Sequence, residues 1–379
     1  MLFGVRRIQK GYKVTNKCIF IACDHGNTPI PKMFDSLSIE MALRGWKVVR
    51  IIGNQRVDLC KDQTNPIITT WPSKRATRIR DGAFLLSLLR KHCPSIVIGN
   101  FHAVNWMMIT SWFSRVPTRL AWYHTTLQQV NLDTNALINK LQIQRKSIVY
   151  KFASQIITNS EFSKTEVHSN FHLPLDKIAV FYNSLEDPGL HKREDFSNEK
   201  GSVIICPGRL HFIKGQDVLI NALAFVVKEY PKIIVTFLGD GPEKNNLIAL
   251  AEKIGVTKNC LFIGNVDHDV MLTQMSKSRL TIVPSRAEAF GLVNIESMAV
   301  STPVIASKVG GIPEIIRDGE DGYLVPSESP EVLAERISYL LSNPEIQRTF
   351  GENARNRFLS EFELSKGIKK LADWLEVRE

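Results

Sequence analysis

The chain predicts an α/β protein built from two parallel-sheet domains that face each other across a cleft. Three observations carry that expectation. Short β-rich runs alternate with longer helical runs along all 379 residues, and such alternation implies parallel sheets covered on both faces. The alternation breaks at EDPGLHKREDFSNEKG, 186–201, a polar stretch with Pro and Gly and no apolar periodicity, which reads as an interdomain linker. The length suits two or three domains, and 44% apolar against 23% charged residues is an ordinary globular composition.

The elements follow in order. Ile19–Cys23 reads as a strand, and Pro31–Arg44 has helical periodicity, with Gly45 just past its end. Strands Lys47–Ile52, Ser95–Gly99, Leu120–Tyr123, Gln155–Thr158 and Ile178–Phe181 complete the first half, the third of them running into His124. After the linker come strand Ser202–Cys206, helix Gly215–Glu229, strand Ile233–Leu238, helix Glu243–Ile254 and strand Cys260–Ile263. Helix Val270–Lys277, strand Leu280–Pro284, a helix near Leu292–Val300, strand Val304–Ser307 and helices from Glu331 onward follow. The expected domains are residues 1–188 and 189–361. Two such domains place a ligand at their C-terminal strand edges.

Composition narrows the class. Six cysteines, at 18, 23, 60, 93, 206 and 260, form no C-x-x-C pair, and no N-x-[ST] sequon occurs. That excludes a dithiol motif and a cysteine zinc site, and suggests a reducing compartment. The basic N-terminus lacks a secretory apolar region, and no segment reaches a membrane-spanning length, so a cytoplasmic protein is expected. Residues 1–190 hold 25 Lys and Arg against 12 Asp and Glu, whereas 191–379 hold 23 against 26. The excess charge of the first half suits an anionic partner. TWPSKRATRIRDGAF carries Trp71, Lys74, Arg75, Arg78 and Arg80, and VNWMMITSWF carries Trp106, Met107, Met108, Trp112 and Phe113. Basic plus aromatic residues fit a membrane interface or stacked single strands; a solvated charge face beside a core helix explains the second stretch better.

The chemistry concentrates in PSRAEAFGLVNIESMAVSTPVIASKVGGIPEII, 284–316. Glu288 and Glu296 bracket Phe290-Gly291, where a loop turns into a helix. The amides near Gly291 and Leu292 are free at that helix start and suit phosphate oxygens. Ionised carboxylates accept hydrogen bonds from sugar hydroxyls. Upstream, ICPGRLHFIKGQDVLINAL delivers Gly208-Arg209 into a loop, with Lys214 before Gly215. A guanidinium fork and an ammonium five residues apart can neutralise a diphosphate. Taken singly, each of these also reads as a surface charge or a helix cap.

Together these segments resemble the retaining glycosyltransferases of family 4, with the GT-B fold. The matching segments occur in order: Gly208-Arg209-Leu210 with Lys214-Gly215, Leu238 to Pro242, Phe262 to Val266, Glu288 to Glu296, Gly310 to Glu314, and Asp321 to Val325. The resemblance implies two Rossmann-like domains and transfer of a hexose-type sugar from a UDP or GDP sugar to a saccharide or lipid-linked acceptor, without a cofactor or catalytic metal. It implies that Arg209 and Lys214 hold the diphosphate, with Gly208 alongside. Asn265 and Val266 would meet the base, and Glu296 the ribose. Glu288 and His124 would hold the sugar, with backbone contacts from Phe290, Gly291, Leu292 and Val293. It also implies that a final helix within 362–379 packs on the N-terminal domain. Two departures fall in the first half: Gly26 is single where the family has a Gly pair, and Asn183-Ser184-Leu185-Glu186 replaces Asn-Gly-Val-Asp.

Rival signals are weaker. Lys244 occupies the last position of a G-x-G-x-x-G search begun at Gly239, and no H-E-x-x-H, P-loop or G-x-S-x-G occurs. Asp267-His268-Asp269 resembles a metal motif but leads into a helix, where acidic capping explains it. The alternatives are a sugar-nucleotide 2-epimerase, which needs no acceptor, and a non-enzymatic nucleotide or nucleic-acid binder. No nucleic acid is expected, because the donor-site residues are all present.

Overall fold

The computed structural model describes residues 17–53, 65–127, 136–190 and 203–378. Most of the expected linker, the basic N-terminus and Cys60 lie outside the described residues.

The first domain is a seven-stranded parallel sheet. Its strands are β1 (Cys18–Ala22), β2 (Lys47–Ile52), β3 (Ile67–Thr70), β4 (Ile96–Gly99), β5 (Thr118–Tyr123), β6 (Gln155–Thr158) and β7 (Ile178–Val180), in the order β3-β2-β1-β4-β5-β6-β7. The second holds β8 (Val203–Pro207), β9 (Ile234–Leu238), β10 (Cys260–Gly264), β11 (Leu280–Val283), β12 (Val304–Ser307) and β13 (Gly322–Val325), in the order β10-β9-β8-β11-β12-β13. Strand order reverses beside β1 and beside β8, so a crevice opens at the C-terminal ends of both sheets, which is where such folds bind ligands. β1 is buried along its whole length, as the apolar run CIFIA requires of a strand covered on both faces.

Two strands escape the sequence reading. β3 is an edge strand of four half-buried residues, IITT, without enough apolar contrast to stand out. β13 begins at Gly322 directly after a turn, and its four residues include no β-branched residue before Val325. The aromatic stretches also sort differently from an interfacial pair. Trp71 is buried at 2% exposure, so it is a core residue and not a membrane-facing one. Helix Val104–Phe113 buries Met107 and Met108 completely and leaves Trp112 and Phe113 exposed at 46% and 69%. Lys74, Arg75, Arg78 and Arg80 are all exposed where helix Ile79–His92 begins. Among the described residues no helix is long and apolar enough to cross a membrane.

The chain crosses between the domains twice. After helix Pro344–Arg357, a π-helical turn at Phe358–Phe362 leads back to helix Leu364–Glu376 on the N-terminal domain. There Ile368, Leu371, Ala372 and Leu375 join Ile19, Phe34 and Trp46 in one core. Burying each of the isoleucine, leucine and phenylalanine side chains contributes about 1.5–3 kcal/mol. Arg44 adds ion pairs to Asp373 at 2.7 Å and Glu376 at 3.0 Å, which at this surface contribute little. The crossings are clasped together: Leu185 N–H donates to the Phe362 carbonyl and Leu364 N–H to the Leu185 carbonyl, both at 2.9 Å.

Candidate active site

Lys214, Glu288, His124 and the backbone from Phe290 to Val293 line one cleft between the domains, of about 180 Å³. Lys214 ends a 3-10 turn, Phe212–Lys214. Arg286 straps that turn: its N–H donates to the Ile213 carbonyl at 2.7 Å and its guanidinium to the Phe212 carbonyl at 2.6 Å. The same guanidinium forks onto Asp217 at 2.8 and 2.7 Å. The chain then turns back through Gly215 at φ +66°, where an added Cβ would overlap the Pro284 carbonyl oxygen. Held this way, the Lys214 ammonium lies 2.6 Å from Glu288 Oε2, the two side chains being 30% and 13% exposed.

Glu288 is held from behind by its backbone. Gly311 N–H donates to the Glu288 carbonyl at 3.2 Å. Gly310, at φ +55°, packs so closely that a Cβ there would overlap the same carbonyl oxygen. Helix Leu292–Ala299 starts at Gly291, φ +101°, so the amides of Leu292 and Val293, the first of the helix, have no partner within it, and both residues line the cleft. Asn183 and Ser285 also line the cleft, and Asn183 Oδ1, Ser285 Oγ and, deeper, Asn294 Oδ1 are buried without hydrogen-bond partners among the described residues. Such atoms cost free energy unless something polar meets them, and a polyhydroxylated ligand would. Sequence reasoning missed Ser285 and read Asn183 as a strand end and as the first residue of the segment that replaces Asn-Gly-Val-Asp, not as a cleft residue; its position after β7, at the C-terminal edge of the sheet, was the available signal.

His124 receives a fixed orientation. Asn100 donates through Nδ2 to the Ala22 carbonyl at 3.0 Å, which turns its Oδ1 toward His124 Nε2 at 2.9 Å. Nε2 is therefore the protonated nitrogen, and Nδ1, buried without a partner among the described residues, is an acceptor. The ring is stacked between Phe101 and Trp122, at 4.6 and 5.8 Å. Burial pulls its pKa down to about 3, and burial also lowers that of His92. The unfolded chain takes up these protons below its ordinary histidine pKa and the folded one does not, so stability is lost as pH falls from about 6.5 toward 3. We expect the melting temperature to drop over that window and the drop to shrink in His124→Gln. An unchanged pH slope in that variant would show His124 to be solvated.

The remaining sequence candidates sit around this cleft. Arg209 is exposed on the loop after β8, and Gly208 before it has open space over its α-carbon. Glu296 does not line the cleft: it is 5% exposed and bonded to His268 Nε2 at 2.8 Å. The capping reading of Asp267-His268-Asp269 holds in position, with Asp267 at the N-cap and Asp269 in the first turn, but Asp267 makes no side-chain cap bond and His268 turns inward to the carboxylate. Asn265 is exposed, and Val266 packs with Leu272, Met275 and Val293. Gly26 does not line the cleft, and a Cβ there would meet only Pro31 at 3.9 Å; Ile30 of the following turn reaches the cleft instead.

The domains also touch beside the cleft. Ser160 Oγ donates to the Ala289 carbonyl at 2.7 Å. Glu314 of the second domain accepts from the N–H groups of Glu161 and Phe162, both at 2.8 Å, and so caps helix Glu161–Phe171 of the first.

Comparison with known proteins follows this division. Residues 32–187 match the family model described as Glycosyltransferase Family 4, and 190–357 match Glycosyl transferases group 1. The chain belongs to the group 1 glycosyltransferases. This glycosyltransferase is 37% identical over 205 residues to D-inositol 3-phosphate glycosyltransferase of Acidothermus cellulolyticus, covering 50% of the chain and 46% of that relative. It is 29% identical over 224 residues to N-acetyl-alpha-D-glucosaminyl L-malate synthase of Bacillus anthracis, covering 57% and 58%. The glycosyltransferase thus spans about half the length of the curated relatives it matches. Its fold is shared with Anabaena HepE, solved in complex with UDP-glucose, at a TM-score of 0.76 and 20% identity over 95% of this chain and 99% of that one.

Proposed function

We propose that the chain transfers a hexose-type sugar, with retention of anomeric configuration, from a UDP or GDP sugar to a hydroxyl of a saccharide or lipid-linked acceptor. The observation that carries this reading is the Lys214–Glu288 pair at 2.6 Å in the interdomain cleft, beside the open helix start at Gly291. Lys214 and Arg209 would neutralise charge gathering on the departing diphosphate, where fixed cations help most. The amides of Leu292 and Val293 add donors for phosphate oxygens. Glu288, the Nδ1 acceptor of His124 and the orphaned Asn183 and Ser285 oxygens would hold sugar hydroxyls. Asn265 and Val266 would meet the base. Glu296 would reach the ribose after exchanging its bond to His268. No enzyme carboxylate need attack the sugar; the acceptor would approach from the leaving-group face. Closure of the domains would exclude water and limit hydrolysis.

Two further parts belong to this reading. The reaction would need no metal, since Lys214 and Arg209 would together neutralise the diphosphate. The protein works at a cytoplasmic membrane face in polysaccharide or glycolipid synthesis, held by the exposed Lys74, Arg75, Arg78 and Arg80, each contributing about 1 kcal/mol at an anionic surface. Salt-sensitive sedimentation with anionic but not neutral vesicles is the expected sign of that attachment.

A thermal-shift panel of nucleoside diphosphates and their sugars tests the donor. One base should raise the melting temperature by mass action, and turnover of that donor should survive EDTA. Failure of every nucleotide to stabilise the protein would sink the assignment, and EDTA loss restored by magnesium would overturn metal independence.

A further inference from the structure

The first domain holds a second cavity, of about 440 Å³, that adjoins the cleft. His124 lines both. The two spaces therefore share one wall, the ring that stands beside Glu288 and Lys214. A molecule in the larger space would lie on the far side of that ring from the nucleotide pocket. The size is that of ordinary small-ligand sites.

The chemistry of this cavity is one-sided. Its walls include the aromatic rings of Phe101, Trp106, Tyr123 and Tyr150, and among the described residues that line it the charged side chains are Arg145 and Lys146, with no Asp or Glu. Lys146 is half-buried, with its ammonium 5.4 Å from the centroid of the Tyr123 ring. No carboxylate of the described residues pairs with it or with Arg145. The nearby Glu166 is already occupied, accepting from the Tyr123 hydroxyl at 3.0 Å and from the Leu127 N–H at 2.9 Å. A half-buried ammonium in this state is short of a counter-charge. Burial, and next the Arg145 charge, lower its pKa, while Glu166 opposes them; an anion in the cavity would supply what is missing. The approach is basic too, because Ala76 and Thr77 on the cavity wall lie between the exposed Arg75 and Arg78.

We propose that this cavity is the acceptor site and that its occupant is anionic: a phosphate or carboxylate carried on a ring or other flat apolar body, with Lys146 and Arg145 reading the charge and the aromatic walls reading the body. The role as acceptor site rests on the glycosyltransferase reading above. The selectivity for an anion rests on the cavity alone. A phosphorylated small molecule and a phospholipid headgroup share this chemistry.

Calorimetric titration separates these points. The probes are phenyl phosphate for a free phosphate ester, dihexanoyl phosphatidylinositol for a lipid headgroup, phenyl β-glucoside as the neutral counterpart, and UDP and GDP for the donor cleft. At least one of the two anions should bind the wild type at least ~10-fold more tightly than the glucoside, the size of one charge-assisted hydrogen bond. Lys146→Gln and Arg145→Gln should each remove most of that preference while leaving nucleotide affinity unchanged, and Lys146→Arg should restore it. Arg145 is exposed, so its variant stays informative even where Lys146→Gln folds poorly. Which anion binds names the source. Anion binding that equals glucoside binding, or that survives in both Gln variants, overturns the proposal. Anion selectivity without nucleotide binding would instead leave the anion site standing and remove the donor reading.

Discussion

Lys214→Ala is expected to lower turnover at least ~10²-fold, and Arg209→Ala by a comparable factor, the scale of losing one preorganised donor to a developing anion. The two losses should differ in character. Arg209 is exposed, so its removal should leave the melting temperature unchanged and appear only in the rate. Lys214 neutralises Glu288 at 2.6 Å. Without it, a largely buried carboxylate stands unpaired beside the diphosphate and repels it, so nucleotide affinity should fall together with the rate, and some stability with both. Adding Glu288→Gln to Lys214→Ala should recover nucleotide affinity but not turnover. Wild-type turnover in either single variant would end the case for a cationic diphosphate site.

Gly310→Ala is expected to be nearly as damaging, though Gly310 is not placed in contact with any substrate. Its φ of +55° costs a substituted residue about 1 kcal/mol, and the new methyl would overlap the Glu288 carbonyl oxygen. The Glu288 loop must move to make room, and catalytic geometry tolerates little displacement. Gly319 provides the control: it too has positive φ, +78°, but nothing lies within 4 Å of a Cβ built there. Gly319→Ala should therefore lose stability of that same order and keep its activity. Equal activity losses at both positions would point to backbone strain, and not to the Glu288 contact.

Much of this was readable in the chain. Strands such as Lys47–Ile52 and Val304–Ser307 have the expected bounds because their mainly apolar runs suit a doubly covered strand; the one interruption inside them, Arg50, is itself buried and paired with Asp35 at 3.0 Å. Lys214 and Glu288 were each visible as site candidates because each sits in a loop between a strand and a helix; their contact with each other, 74 positions apart in the chain, was not. The edge strands β3 and β13 were not visible, since an edge needs fewer apolar residues and leaves a weaker pattern. Arg286 was missed for another reason: its partners, Asp217 and the Phe212 carbonyl, lie about 70 positions away, and no local pattern marks a guanidinium that holds a distant turn. The same holds for His268, whose partner Glu296 is brought to it by packing between helices. Ser285 became recognisable only through its burial without a partner.

The clasp between the two crossings has a mechanical consequence. A single connector would act as a tether, letting one body swivel and drift about the other. Here Leu185 is bonded on both sides to the returning chain, at Phe362 and at Leu364, and two parallel threads fixed together resist torsion while still allowing them to bend. Such a clasp favours bending about one axis over free swivelling, like a lid on paired pins. Nicking the backbone after Phe358, with helix Leu364–Glu376 left docked on the first domain, would trade that pivot for a leash, lowering the effective concentration of one half at the other. Such a nicked protein should bind nucleotide and turn over slowly, and intact turnover after the nick would show the second thread to be dispensable.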